Sequence, residues 1–244
     1  KDFFNKHNRN INYIIEKKKN LDFEIQKDFD KWILKFIQDY QRKINELEKN
    51  SKKIIFVRHA RTELNDGSFL GQHRNPEIIR KKYFIKKTSF SKIYTSPLKR
   101  CIQSIKILSS NRIYFKNKNL LEINYGKVEG MKINEMNKIF PEIKKKWSKG
   151  QDPKFPKGES YKDVTKRIKN FLKKIRNDDS KNICVITHNI FLRCLIGQLF
   201  KIPKQKWYKI YIPHLMQLDF RIINNKIYPN IDRNKIKIIL SSLK

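Results

Sequence analysis

From residue 54 onward, short runs of β-branched and aromatic residues alternate with stretches whose apolar positions recur every three or four residues. The runs IIFV at 54–57, KIYTS at 92–96, RIYF at 112–115, NICVIT at 182–187 and LDFRII at 218–223 predict strands. Helical periodicity follows Pro97, Met131, Ser160 and Asn189, and Ser160 with Asp163 forms a capping box at the head of one helix. Strands separated by helices predict an α/β fold, a three-layer α/β/α sandwich with a mainly parallel sheet. The pattern before residue 51 differs. Residues 1–20 are basic and Asn-rich without a period and read as flexible, whereas 21–50 place Ile25, Phe29, Trp32, Ile33, Phe36, Ile37, Tyr40, Ile44 and Leu47 on one stripe of an amphipathic helix. The expected organisation is an N-terminal extension over 1–50 and a catalytic-size domain over 51–244. The extension's apolar stripe needs cover, first by docking on the following domain, next by a coiled-coil or homodimer contact, and last by a membrane surface.

Composition adds charge to this picture. The 244 residues carry a formal net charge of +34, mostly from Lys, with abundant Ile and Asn throughout. AT-rich coding produces such a bias unaided, and the lysines are not gathered into a nucleic-acid motif, so nucleic acid is not the expected partner. The expected effect is a positive field that speeds encounter with anionic substrates and fades with salt. Cys101, Cys184 and Cys194 sit in apolar-patterned segments at spacings that suggest neither disulfides nor a zinc site; they read as core thiols in a reducing compartment. No apolar run reaches the ~18 residues of a membrane span. The expected location is cytoplasmic, with organelle targeting left open because the chain opens on Lys1 rather than Met.

Two of the predicted strands end in histidine. RHA at 58–60 follows IIFV, and HN at 188–189 follows NICVIT, so a parallel sheet can bring both imidazoles to one edge, where sites form in such folds. Lysines outnumber arginines more than threefold, yet arginines stand at 58, beside the first of these histidines, and at 100, after the KIYTS strand, and a guanidinium fork suits phosphoryl oxygens better than an ammonium does.

Five segments, VRHARTELN at 57–65, SPLKR at 96–100, LLEINYGKVEG at 120–130, PKGES at 156–160 and VITHN at 185–189, together resemble the histidine phosphatase superfamily, the phosphoglycerate mutase-like group, and more closely its phosphatase branch. The resemblance runs from about 53 to about 220 and implies a phosphomonoester hydrolase with no metal or other cofactor. It makes His59 the nucleophile that becomes phosphohistidine and Glu122 the acid that protonates the leaving group. Arg58, Arg100 and His188 would hold the phosphoryl oxygens, with Asn65, Gly71 and the Asn189 backbone as further contacts. That chemistry asks for a neutral His59, a protonated His188 and a Glu122 with a raised pKa. Glu129 reads as structural, and His7, His73 and His214 as incidental, although His73 is close to the expected mouth of the site.

Three departures from the family pattern stand out: Ala60 for Gly, Arg61 where Glu or Gln is common, and an atypical, shortened segment at 75–90. Arg61 either favours a second anionic group on the substrate or points to solvent. The partner is expected to be a small phosphorylated molecule or a phosphoprotein. The alternatives are a cofactor-dependent phosphoglycerate mutase, disfavoured by the short 131–159 segment, and a non-catalytic scaffold or polyanion-binding protein.

Overall fold

The computed structural model describes residues 51–241 and six helical positions between 31 and 42. The remainder of the predicted 21–50 helix and all of 1–20 lie outside the described residues. The core is a six-stranded sheet of β1 (Lys52–Arg58), β2 (Lys92–Thr95), β3 (Phe115–Lys116), β4 (Asn182–Thr187), β5 (Gln217–Ile223) and β6 (Lys226–Pro229). Its order is β3-β2-β4-β1-β5-β6. The first four strands in that order run parallel; β5 joins β1 antiparallel and β6 joins β5 antiparallel.

Side-chain alternation along the central strands separates two apolar layers. Ile54 and Phe56 of β1, with Ile183 and Val185 of β4, face the larger core. That layer holds the apolar faces of α4 (Tyr161–Arg176), α5 (Asn189–Leu199) and α6 (Arg233–Leu240). Ile55 and Val57, with Cys184 and Ile186, face the smaller one, built by α1 (Lys99–Leu108) and Phe90. Helices on both faces make the three layers that the pattern predicts. Phe56 anchors the larger layer, with its ring 5.4 Å from Phe220, 6.3 Å from Phe191 and 6.4 Å from Phe171. All three cysteines are buried and unpaired.

Helices α2 (Ile133–Ile139) and α3 (Pro141–Ser148) follow Met131, split at Phe140 and Pro141 because a proline opens the second helix. The Ser160–Asp163 capping box forms at the head of α4, with Asp163 Oδ2 accepting from the Ser160 N–H at 3.0 Å. Three elements differ from expectation. The RIYF run contributes only Phe115 to β3, because this edge strand has two ladder positions against β2 and Ile113 is exposed. Strand β6 was not anticipated; it forms because Asn224 and Asn225, at φ of 48° and 59°, make the tight turn that returns β5 on itself. Helix α6, also unanticipated, is capped by Asp232, whose side chain accepts from the N–H groups of Asn234 and Lys235.

Candidate active site

The parallel sheet places the ends of β1 and β4 side by side, with Arg58 registered against Thr187. One residue on, the His59 N–H donates to the Thr187 carbonyl at 3.0 Å, tying the two strand exits together. His59 and His188 are both buried, with ring centroids 5.1 Å apart. His59 Nδ1 lies 2.7 Å from the Ala60 carbonyl oxygen. A carbonyl accepts only, so Nδ1 carries the proton and Nε2 is left with its lone pair. Burial, then Arg100 and Arg58, hold the imidazole well below its ordinary pKa, so the ring is neutral.

Arg100, in the first turn of α1, is fully buried, with its Nε donating to His188 Nδ1 at 3.2 Å, Nη1 to the Arg74 carbonyl at 3.2 Å and Nη2 to the Gly71 carbonyl at 2.7 Å. His188 Nδ1 is therefore an acceptor, and Nε2 donates to Ser96 Oγ at 2.8 Å. This arrangement makes His188 neutral, contrary to the protonated form expected. Burial is the main cause, and the adjacent Arg100 charge adds to it.

Arg58 donates through Nη1 to the Ile212 carbonyl at 2.6 Å. Its Nε is buried and has no hydrogen-bond partner among the described residues. Burial brings its pKa down to about 10, against the opposing pull of Glu122. An orphaned buried donor costs roughly 1–3 kcal/mol, which an anionic oxygen would relieve.

Glu122 reaches the cluster from the loop before the 3₁₀ turn Gly126–Val128. Its Oε1 accepts from the N–H groups of Ile123 and Ile190, each at 3.0 Å. Ile190 lies in the first turn of α5, where unsatisfied amides favour negative charge. Burial prevails over these amides and over Arg100 and Arg58, so the carboxyl's pKa is raised.

Glu129 does different work seven residues on: its carboxylate accepts from the N–H groups of Gly71, Gln72, His73 and Arg74 at 2.7–3.1 Å. It thereby shapes the 71–74 loop whose carbonyls grip Arg100. Gly71 is required by close approach, because a Cβ there would lie 2.8 Å from Glu129 Oε2 and 2.9 Å from the Ile123 carbonyl oxygen. Gly71 therefore reaches the cluster through Arg100. The PKGES segment docks in a comparable way. The Lys127 N–H donates to the Pro156 carbonyl, and the Glu159 N–H to the Asn124 carbonyl, at 2.9 and 2.8 Å. Gly126, at φ +54°, would place a Cβ 2.1 Å from the Pro156 carbonyl oxygen.

The other expected site residues are distributed unevenly. Asn65 Oδ1 accepts from the Thr62 N–H at 2.8 Å and bends the loop after β1. Asn189 opens α5, and its Oδ1 is buried without a partner among the described residues. Arg61 is exposed and lines a surface cavity with Lys81, His214 and Lys235. His73 is exposed and contributes its backbone N–H to Glu129. His214, expected to be incidental, is instead part of the cluster: its ring lies 5.3 Å from that of His59, and its Nδ1 donates to the His59 carbonyl at 2.9 Å. The loop entering β5 carries it there, and burial with Arg58 lowers its pKa to about 4.

Ser96, Gln72 and Arg167 were also missed. Arg167 donates to Glu159 at 2.8 Å and to the carbonyls of Asn119 and Leu121, each at 2.9 Å, which fixes the segment bearing Glu122. The scarcity of arginine in a lysine-rich chain was the available signal for Arg167, as it was for Arg58 and Arg100. No cluster of three or more His, Cys, Asp or Glu side chains among the described residues is arranged to hold a metal ion. No described helix is long and apolar enough to cross a membrane.

The family model of the histidine phosphatase superfamily (branch 1) matches residues 54–221. The chain belongs to this superfamily. Within the superfamily, it is 31% identical over 157 residues to the human protein 6-phosphofructo-2-kinase/fructose-2,6-bisphosphatase 1, covering 60% of this chain and 32% of that one. The chain thus spans about a third of that relative's length. Phosphoserine phosphatase 1 of Hydrogenobacter thermophilus is 27% identical over 169 residues, covering 64% of this chain and 80% of that protein. Among solved structures, the alpha-ribazole phosphatase of Shigella flexneri superposes with a TM-score of 0.62 at 18% identity, over 74% of this chain and 96% of that one, a likeness of fold. Each of these relatives bears a phosphatase name, consistent with the superfamily and with the phosphatase branch.

Proposed function

We propose that this protein hydrolyses phosphomonoesters without a metal ion, through a phosphohistidine on His59, with Glu122 as general acid and then general base. His59 Nε2 would attack phosphorus in line while the bond to the leaving oxygen breaks, and Glu122 would give its proton to that oxygen. The resulting carboxylate would take a proton from water, whose oxygen attacks phosphorus and displaces Nε2. Arg58 and Arg100 would carry the developing charge on the phosphoryl oxygens, in a setting that needs no rearrangement to do so.

The observation that carries this reading is a buried cluster in which an imidazole with an unprotonated Nε2 meets two guanidiniums and a carboxyl of raised pKa. Both shifts run in the direction the first step needs: burial lowers the His59 pKa, favouring a neutral nucleophile, and raises that of Glu122, favouring an acid that keeps its proton to higher pH than a free carboxyl. The unpaired Nε of Arg58 adds a buried donor suited to a phosphoryl oxygen. The phosphatase names of its relatives point the same way.

The test is phosphate release from a phosphomonoester panel with EDTA present and His59→Ala as control. Turnover that survives EDTA and is lost in the variant is expected. Turnover that EDTA abolishes, or that His59→Ala retains, would reject the reading.

A further inference from the structure

In-line attack by His59 puts the leaving oxygen on the far side of phosphorus, next to Glu122, so whatever the oxygen is attached to extends past Glu122. A cavity of about 450 Å³, large enough for a one- or two-ring ligand, lies one residue contact away, on the far side of Ile190 from Glu122. Ile190 joins the two places, since its N–H binds Glu122 and its side chain lines the cavity. Arg193, one turn along α5, also lines it and acts electrostatically on Arg58.

Much of the wall is aromatic. Phe69, Tyr125, Trp147, Phe155, Tyr161 and Tyr208 all line the cavity. The rings brace one another, with Tyr125 4.9 Å from both Phe69 and Phe155, and Trp147 5.8 Å from Phe155. The one lining carboxylate, Asp152, is already engaged, since its oxygens accept from the N–H groups of Tyr161 and Lys162 at 3.0 and 2.9 Å. Glu159 and Glu129, behind the wall, are likewise committed to Arg167 and to the 71–74 amides. Lys144, Ser148, Gln151, Lys204 and Gln205 also line the cavity, so a polyhydroxylated leaving group would find some polar side chains but no unengaged carboxylate, whereas a planar ring would find stacking partners on several sides.

We infer that the preferred substrates are phosphomonoesters whose alcohol carries a flat aromatic ring, with the ring seated between Tyr125, Trp147, Phe155 and Tyr208. This inference rests on the phosphatase reading and sharpens it to a leaving-group class.

The test compares kcat/KM for 2-naphthylmethyl phosphate, glycerol 3-phosphate and fructose 6-phosphate. All three are esters of primary alcohols rather than phenols, so ring preference is not confused with an activated leaving group. A preference of about tenfold or more for the naphthylmethyl ester is expected. Trp147→Ala and Tyr208→Ala should each lower that preference by about threefold or more, mainly through KM. Tyr208 is 59% exposed, so its truncation keeps the test valid if Trp147→Ala misfolds. Equal or better turnover of glycerol or fructose phosphate, lost in His59→Ala, would overturn the aromatic preference and leave the phosphatase reading standing. Retention of the full preference by both wall variants would do the same. His59-independent turnover of all three would instead overturn the phosphatase reading and this inference with it.

Discussion

The strand-end cluster and the aromatic wall are linked through Ile190, whose N–H binds Glu122, but are built from opposite materials. At the strand ends, charged and polar side chains are buried and joined in series: Glu129 holds the 71–74 loop, the loop grips Arg100, and Arg100 fixes the tautomer of His188. In the wall, rings pack on rings, and the lining carboxylate Asp152 is engaged by backbone amides. The first arrangement tolerates little change, because removing one member strands another buried polar group. The second is graded, because each ring adds contact area of its own. On the proposed reading, reaction chemistry would be concentrated in the cluster and selectivity spread over the wall, and the two should respond to mutation on different scales.

The largest separation is expected from His59→Ala, which should reduce turnover on the order of 1000-fold or more while far-UV circular dichroism stays native. Glu122→Gln comes next, with about 100- to 10,000-fold loss on alkyl phosphates and a much smaller loss on p-nitrophenyl phosphate, whose leaving group needs little protonation. Equal losses on both would remove Glu122 from the acid role. Gly71→Ala should lower kcat by roughly tenfold and stability by about 1–3 kcal/mol in a urea titration, because the added methyl meets Glu129 Oε2 and the Ile123 carbonyl and disturbs the loop holding Arg100. A wild-type response there would show that the cluster is less tightly linked than described.

The pH dependence is subtler. His59 and His188 have depressed pKa values, so the unfolded chain binds their protons more readily than the native one. Their contribution to stability is fully present above the ordinary value of 6.5 and is lost as pH falls from there toward the folded values. The melting temperature should drop between about pH 7 and pH 5, and His59→Ala should flatten that drop. Activity should follow the same groups: the acid limb of kcat/KM lies below the usual histidine range, and the alkaline limb, set by Glu122, lies above the usual carboxylate range.

The same contrast explains what could be read before the fold was seen. Strand ends announce themselves, since an apolar run followed by Arg-His has few structural uses. Glu122 and Glu129 occupy one short segment, and the sequence separates an acid from a structural carboxylate there, but the partners of Glu129, the amides of 71–74, carry no sequence signal. His214 was unreadable for another reason: it lies 155 residues from His59, and an antiparallel return through β5 brings it back. Arg167 likewise acts at a distance, across a helix, on carbonyls that carry no sequence signal. The wall is the extreme case, because its rings come from Phe69 through Tyr208 and share no local pattern.

The central claim is that His59 Nε2 forms a bond to phosphorus. Rapid quenching of the enzyme during turnover into alkaline denaturant, followed by peptide mass spectrometry, tests it most directly. A phosphate adduct on the peptide bearing His59, labile to acid and absent from His59→Ala, is the predicted result. Full turnover with no adduct, or with the adduct on another side chain, would contradict it.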